Sequence, residues 1–187
     1  MRMALRTLAQ ALVRARLARI GAAVAAGFLC TAAAIAGPLA VTAVDFAAPL
    51  TVKLQGYGAD EAPVLRSAIL VAVSRETARL AIAKTLTATI VVEDIAPTHP
   101  TRKQLGDNPA LHAVRSKSLG GAEMTGYLRD QDLHVVATVT LRHFAPTLEE
   151  GSASADPWAD ARLAIDRFAA KLAAACRDRA DDSNMSR

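Results

Sequence analysis

The sequence predicts an α+β fold, a two-layer sandwich in which two helices cover one face of a roughly four-stranded, mainly antiparallel sheet. Three observations predict it. Apolar and polar residues alternate over 50–57, over 85–95 and over a pair of segments between 122 and 141, the period of strands with one buried face. Two further stretches repeat their apolar residues every third or fourth position, the period of an amphipathic helix. Elements with one apolar side each bury those sides only against one another.

The first element is a leader. The chain has 187 residues and a formal net charge of +4, which would suit a nucleic-acid binder if the charge were spread over a folded surface. Five of the 22 basic residues, Arg2, Arg6, Arg14, Arg16 and Arg19, precede the first acidic residue, Asp45, so the remainder carries 17 basic against 18 acidic side chains. That near-neutral remainder argues against nucleic acid as a partner.

Residues 20–44 carry no charge and are rich in alanine and glycine. Basic flank, apolar core and small residues beyond it are the parts of a secretory signal helix. Two places offer small residues one and three before a cut: Ala34-Ile35-Ala36 before Gly37, and Val41-Thr42-Ala43 before Val44. The second is preferred, because Pro38 then lies upstream, where an extended approach is useful. The expected organisation is therefore a signal peptide or N-terminal membrane anchor over 1–43, one α+β domain over 44–180 and a disordered tail over 181–187. Cys30 follows Gly27, Phe28 and Leu29, an order that does not fit lipoprotein processing. Cys176 is then the only thiol of the processed chain, so no intramolecular disulfide forms in it.

The strand at 50–57 comes next. Asp60 and Pro63 open a helix to about residue 81, capped by the Asp60 side chain, with Leu65, Ile69, Ala72, Val73 and Leu80 inward. The segment 85–95 is a strand, its composition strongly β-favouring. Residues 96–116, with three prolines, form a long connection of the kind that is usually functional or mobile. A hairpin follows, with Ala122, Met124, Gly126 and Leu128 on one arm and Leu133, Val135, Ala137, Val139 and Leu141 on the other. Asp156-Pro157 opens the last helix, where Trp158, Ala161, Ile165, Phe168, Leu172 and Cys176 make one stripe. The outer sheet face then carries Thr51, Lys53, Gln55, Tyr57, Thr85, Thr87, Thr89, Glu93, Tyr127, Arg129, Thr138, Thr140 and Arg142.

Catalytic chemistry leaves little trace. His99 and His112 belong to the long connection and read as surface residues. His134 and His143 fall on opposite faces if both lie on one regular strand. With no ligand-spaced cluster visible, no metal and no cofactor is expected. Ser118, beside Gly120 and Gly121 and downstream of His112, is the nearest approach to a nucleophile. It supports an alternative reading as a small hydrolase or transferase, against a plain reading of the glycine pair as a bend at the hairpin entry. No catalytic residue is assigned. The one binding candidate is a basic patch of Arg102, Lys103, Arg115 and Lys117, against the single acid Asp107, suited to an envelope protein, an anionic lipid or a glycan.

The segments Pro97-Thr98-His99-Pro100-Thr101-Arg102-Lys103-Gln104-Leu105, Arg115-Ser116-Lys117-Ser118-Leu119-Gly120-Gly121-Ala122-Glu123, Asp156-Pro157-Trp158-Ala159-Asp160-Ala161 and Ile165-Asp166-Arg167-Phe168-Ala169 resemble a group of uncharacterised proteobacterial envelope proteins. Many of these are described as lipoproteins with a domain of unknown function. The resemblance covers most of the chain after the leader and implies an exported α+β domain without catalytic residues to transfer. The missing lipoprotein processing site is a departure from that group, and puts outer-membrane tethering in doubt. An inner-membrane-anchored structural subunit with its domain in the periplasm is a further alternative.

Overall fold

The structure, a computed structural model, describes residues 39–78, 80 and 86–185. Of the signal or anchor segment expected over 1–43, residues 1–38 lie outside the described residues, and 39–43 belong to a strand. Eight elements follow one another: β1 (Leu39–Phe46), α1 (Ala48–Tyr57), α2 (Glu61–Thr77), β2 (Leu86–Ala96), α3 (Arg102–Asp107), β3 (Gly121–Arg129), β4 (Val135–Phe144) and α4 (Ala159–Met185).

The fold is α+β, and its four-stranded sheet runs in the order β1-β2-β3-β4. It is mixed rather than antiparallel: β1 pairs with β2 in parallel, while β2–β3 and β3–β4 are antiparallel. The cause is the connection. Two helices carry the chain from β1 back to the start of β2, and such a crossover makes the second strand run the same way as the first.

The strand expected at 50–57 is helix α1, and the first strand lies earlier, at Leu39–Phe46. Pro49 occupies the first helical turn of α1, and the buried residues Leu50 and Leu54 are one turn apart, so the segment has a helical stripe as well as an alternation. Thr51, Lys53, Gln55 and Tyr57 consequently stand on a helix and not on the sheet. Helix α2 ends at Thr77, and Asp60 makes no side-chain cap bond to it. The long connection contains α3, whose start is held by a reciprocal capping box between Thr101 and Gln104. Helix α4 continues to Met185, where a disordered tail from 181 was expected.

The buried face of the sheet presents Leu86, Ala88, Ile90 and Val92 of β2 and Ala122, Met124 and Leu128 of β3. Against it lie Leu65, Ile69 and Val73 of α2 and Ile165, Phe168 and Leu172 of α4, all of them 1% exposed or less. Gly126 permits a close approach of α4: a Cβ there would stand 2.9 Å from Phe168 Cζ and 3.2 Å from Leu172 Cδ1. Leu133 and Val135, expected inward, are exposed, because Leu133 belongs to the turn between β3 and β4, with φ 63°. Thr87, Thr89, Tyr127, Arg129, Thr138, Thr140 and Arg142 alternate with the buried set and are half-buried or exposed, as the strand period requires.

Candidate functional site

The sheet brings three of the four segments quoted for the envelope-protein resemblance into one polar cluster. Strand β2 ends at Ala96, and the chain then passes beside the start of α4. The Thr98 amide donates to the Pro157 carbonyl at 2.7 Å, and the Ser118 amide donates to the Thr98 carbonyl at 2.9 Å. The Thr98 hydroxyl donates to Asp160 Oδ2 at 2.9 Å and accepts the Asp160 amide at 3.2 Å. The other carboxylate oxygen, Oδ1, accepts the Ser152 amide at 2.9 Å. Thr98, His99, Thr101 and Asp160 are all buried.

Gly120 is where β3's entry meets this cluster. A Cβ at 120 would lie 2.3 Å from Thr98 Oγ1 and 2.9 Å from the Thr98 nitrogen, so only glycine lets the two backbones pass. Gly121 adds a φ of +153°. The glycine pair was expected to permit a bulge or sharp bend at the hairpin entry; what requires glycine at 120 is the approach to Thr98.

Helices α1 and α2 are tied to the same cluster. The Thr101 hydroxyl donates to the Tyr57 carbonyl at 2.6 Å. The Tyr57 ring meets Trp158 edge-on, with centroids 5.5 Å apart, and Trp158 Nε1 donates to Glu61 Oε2 at 2.7 Å. His99, expected at the surface, is 1% exposed, and among the described residues neither ring nitrogen has a hydrogen-bond partner.

The pairing of Ser118 with His112 is not formed. Ser118 Oγ donates to the Pro97 carbonyl at 2.5 Å, while His112 Nδ1 accepts the amides of Val114 and Arg115 at 3.4 Å each. His112 serves its own turn, and Ser118 ties its segment to the chain leaving β2. The four basic candidates are dispersed in role. Lys103 forms an ion pair with Asp107 one helical turn away. Lys117 lines a hollow of about 170 Å³ together with Pro97, Pro100, Gln104 and Ser118. Arg102 and Arg115 are exposed.

A larger cleft, of about 380 Å³, opens where β1 ends between α1 and α2, lined among others by Asp45, Phe46, Thr51, Gln55 and Arg66. Arg66 is positioned in it by a bond from Nε to the Val44 carbonyl at 3.0 Å and by stacking 5.3 Å over the Phe46 ring. Reading 50–57 as a strand hid this cleft. Nearby, Lys53 pairs with Asp94 at 2.7 Å. Burial by itself would lower the Lys53 ammonium, but Asp94 and Tyr57 together hold it above the usual lysine value.

One group of metal-capable side chains was also missed. Asp130, Asp132 and His134, in the turn before β4, each place a ligand atom within 4.8 Å of the others. The signal was the alternating Asp-x-Asp-x-His spacing. In the structure Asp130 Oδ1 accepts the amides of Asp132 and His134 at 3.0 Å each, so this carboxylate already shapes the turn. His134 thus precedes the strand that His143 belongs to. His143 lies 3.2 Å from Arg167 Nη1, and burial, then the Arg167 charge, lowers its pKa below the ordinary histidine value.

No protein family, curated protein or solved structure matches the chain. Among the described residues no helix is long and apolar enough to cross a membrane.

Proposed function

We propose that the chain is an exported envelope protein, periplasmic or secreted, whose α+β domain binds an envelope partner and carries out no reaction itself. The partner would be another envelope protein, a lipid or a glycan. The export half of this reading is supported by the basic, then uncharged, then small-residue order of the first 43 residues, and by the resemblance to envelope proteins.

The observation that carries the binding half is the use made of the reactive side chains. Thr98, Ser118, His112 and Asp160 direct their polar atoms into the chain's own backbone and into one another, which is the work of structural groups. An activated nucleophile needs its base within hydrogen-bond reach. Meanwhile the sheet face carrying Tyr127, Arg129 and Arg142, and the Arg66 cleft, remain open to a partner. A polar face that carries Tyr127 with Arg129 and Arg142 has residue types that interfaces favour.

The test uses the full chain with a C-terminal affinity tag, expressed in a Gram-negative host and cross-linked in living cells before envelope fractionation. A discrete cross-linked species, lost when Tyr127 and Arg129 are both changed to alanine, is expected. Recovery of no protein, lipid or glycan adduct counts against the binding reading. The hydrolase or transferase alternative requires ester- or amide-cleaving activity that disappears in Ser118→Ala.

A further inference from the structure

We infer that the leader is removed by hydrolysis of the peptide bond between Ala36 and Gly37, and not at the bond before Val44. The inference rests on the export reading above and makes it specific. Both bonds present small residues at the positions that signal peptidases inspect, so sequence leaves them nearly equivalent. The folded product distinguishes them.

Residues 39–46 are strand β1, the edge of the sheet. A cut before Val44 would discard Leu39 through Ala43, five of the strand's eight residues. With them would go the pairing of Leu39 with Leu86, Ala40 with Thr87, Val41 with Ala88 and Ala43 with Thr89. Leu39 is 5% exposed and belongs to the core cluster, with Val41 packed against it. Thr42, which the register skips between Val41 and Ala43, donates its hydroxyl to the Ala88 carbonyl at 3.0 Å. Removing these residues bares the β2 edge in a parallel pair, where unpaired amides and carbonyls invite pairing with other chains.

A cut after Ala36 leaves all of this in place, with only Gly37 and Pro38 ahead of the strand. The reaction consumes one water: the Ala36–Gly37 amide breaks, Ala36 ends in a carboxylate and Gly37 begins with an amine.

The experiment follows the full chain, C-terminally tagged, in a Gram-negative host, with fractionation followed by N-terminal sequencing and intact mass. The expected product is a periplasmic species beginning at Gly37. Ala36→Leu should leave precursor uncut, and Ala43→Leu should leave the start at Gly37 unchanged, read in denatured extract so that folding does not enter. A start at Val44, or at any other residue, overturns the inference while leaving export intact. Met1 retained on a membrane-bound species, with the domain reached by protease from the periplasm, overturns it in favour of an anchor. Met1 retained in cytosol overturns both this inference and the export reading.

Discussion

Thr98 and Asp160, 62 residues apart in sequence, bond each other twice: the Thr98 hydroxyl donates to Asp160 Oδ2 at 2.9 Å and accepts the Asp160 amide at 3.2 Å. The pair joins the end of β2 to the first turn of α4, so one hydroxyl both orients a buried carboxylate and satisfies a helix amide with no partner inside its own helix. It ties the sheet to α4 just beyond the end of β2.

Changing Thr98 to valine keeps the shape of the side chain and removes both bonds. The Asp160 carboxylate is then left buried with the Ser152 amide as its remaining partner. Removing one partner from a buried polar group costs about 1–3 kcal/mol. We expect Thr98→Val to lower the unfolding free energy by that order in a denaturant titration. A midpoint within error of the parent chain would mean that the clasp contributes nothing.

Gly126 tests the packing of the layers separately. With Phe168 Cζ only 2.9 Å and Leu172 Cδ1 3.2 Å from the position of a Cβ, Gly126→Ala forces two fully buried side chains off their places. Overpacking of this kind costs about 1–3 kcal/mol. Gly56, which has nothing within 4 Å, is the control: it lies inside α1, where alanine is the better helix former, so Gly56→Ala should be neutral or stabilising. Equal melting temperatures for the two variants would contradict the described contact.

The parts of this architecture that sequence made legible are those where one period acts alone. Ile165, Phe168, Leu172 and Cys176 recur at helical spacing and are buried as expected, and β3 with β4 form the hairpin their alternation announces. Residues 50–57 satisfy two periods at once: Leu50, Val52 and Leu54 alternate, yet Leu50 and Leu54 also lie one helical turn apart. Val52, 69% exposed, is the residue that the strand reading placed inside. Strand β1 was hidden for the opposite reason, because Leu39 through Val44 continue the uncharged leader without a polar residue other than Thr42. The Thr98–Asp160 clasp joins residues 62 positions apart, and no local pattern encodes that meeting. The Thr101–Gln104 capping box, by contrast, was legible as spacing and was passed over in a segment read as loop.

Cys176 is fully buried, and burial pushes its thiol up to about 11. The thiolate is the reactive form, so at pH 8 both accessibility and ionisation oppose modification. In a Cys30→Ser chain we expect Cys176 to resist a thiol reagent under native conditions and to react fully in denaturant, at a rate that follows unfolding. Prompt native labelling would show that α4 does not hold this residue against the core.

His143 links stability to pH. Its imidazole is kept below the ordinary histidine value by burial and by Arg167, so the unfolded chain binds a proton at higher pH than the folded one does. In that window the unfolded state holds more protons, and stability therefore rises with pH and is lost as pH falls through the ordinary histidine value of about 6.5 and below. Replacing His143 with glutamine removes the titrating group and retains a polar side chain beside Arg167. Denaturant titrations at pH 7.5 and pH 5.5 should show a larger loss of stability in the parent chain than in His143→Gln. Parallel losses in the two chains would place the pH dependence elsewhere and remove His143 from the account.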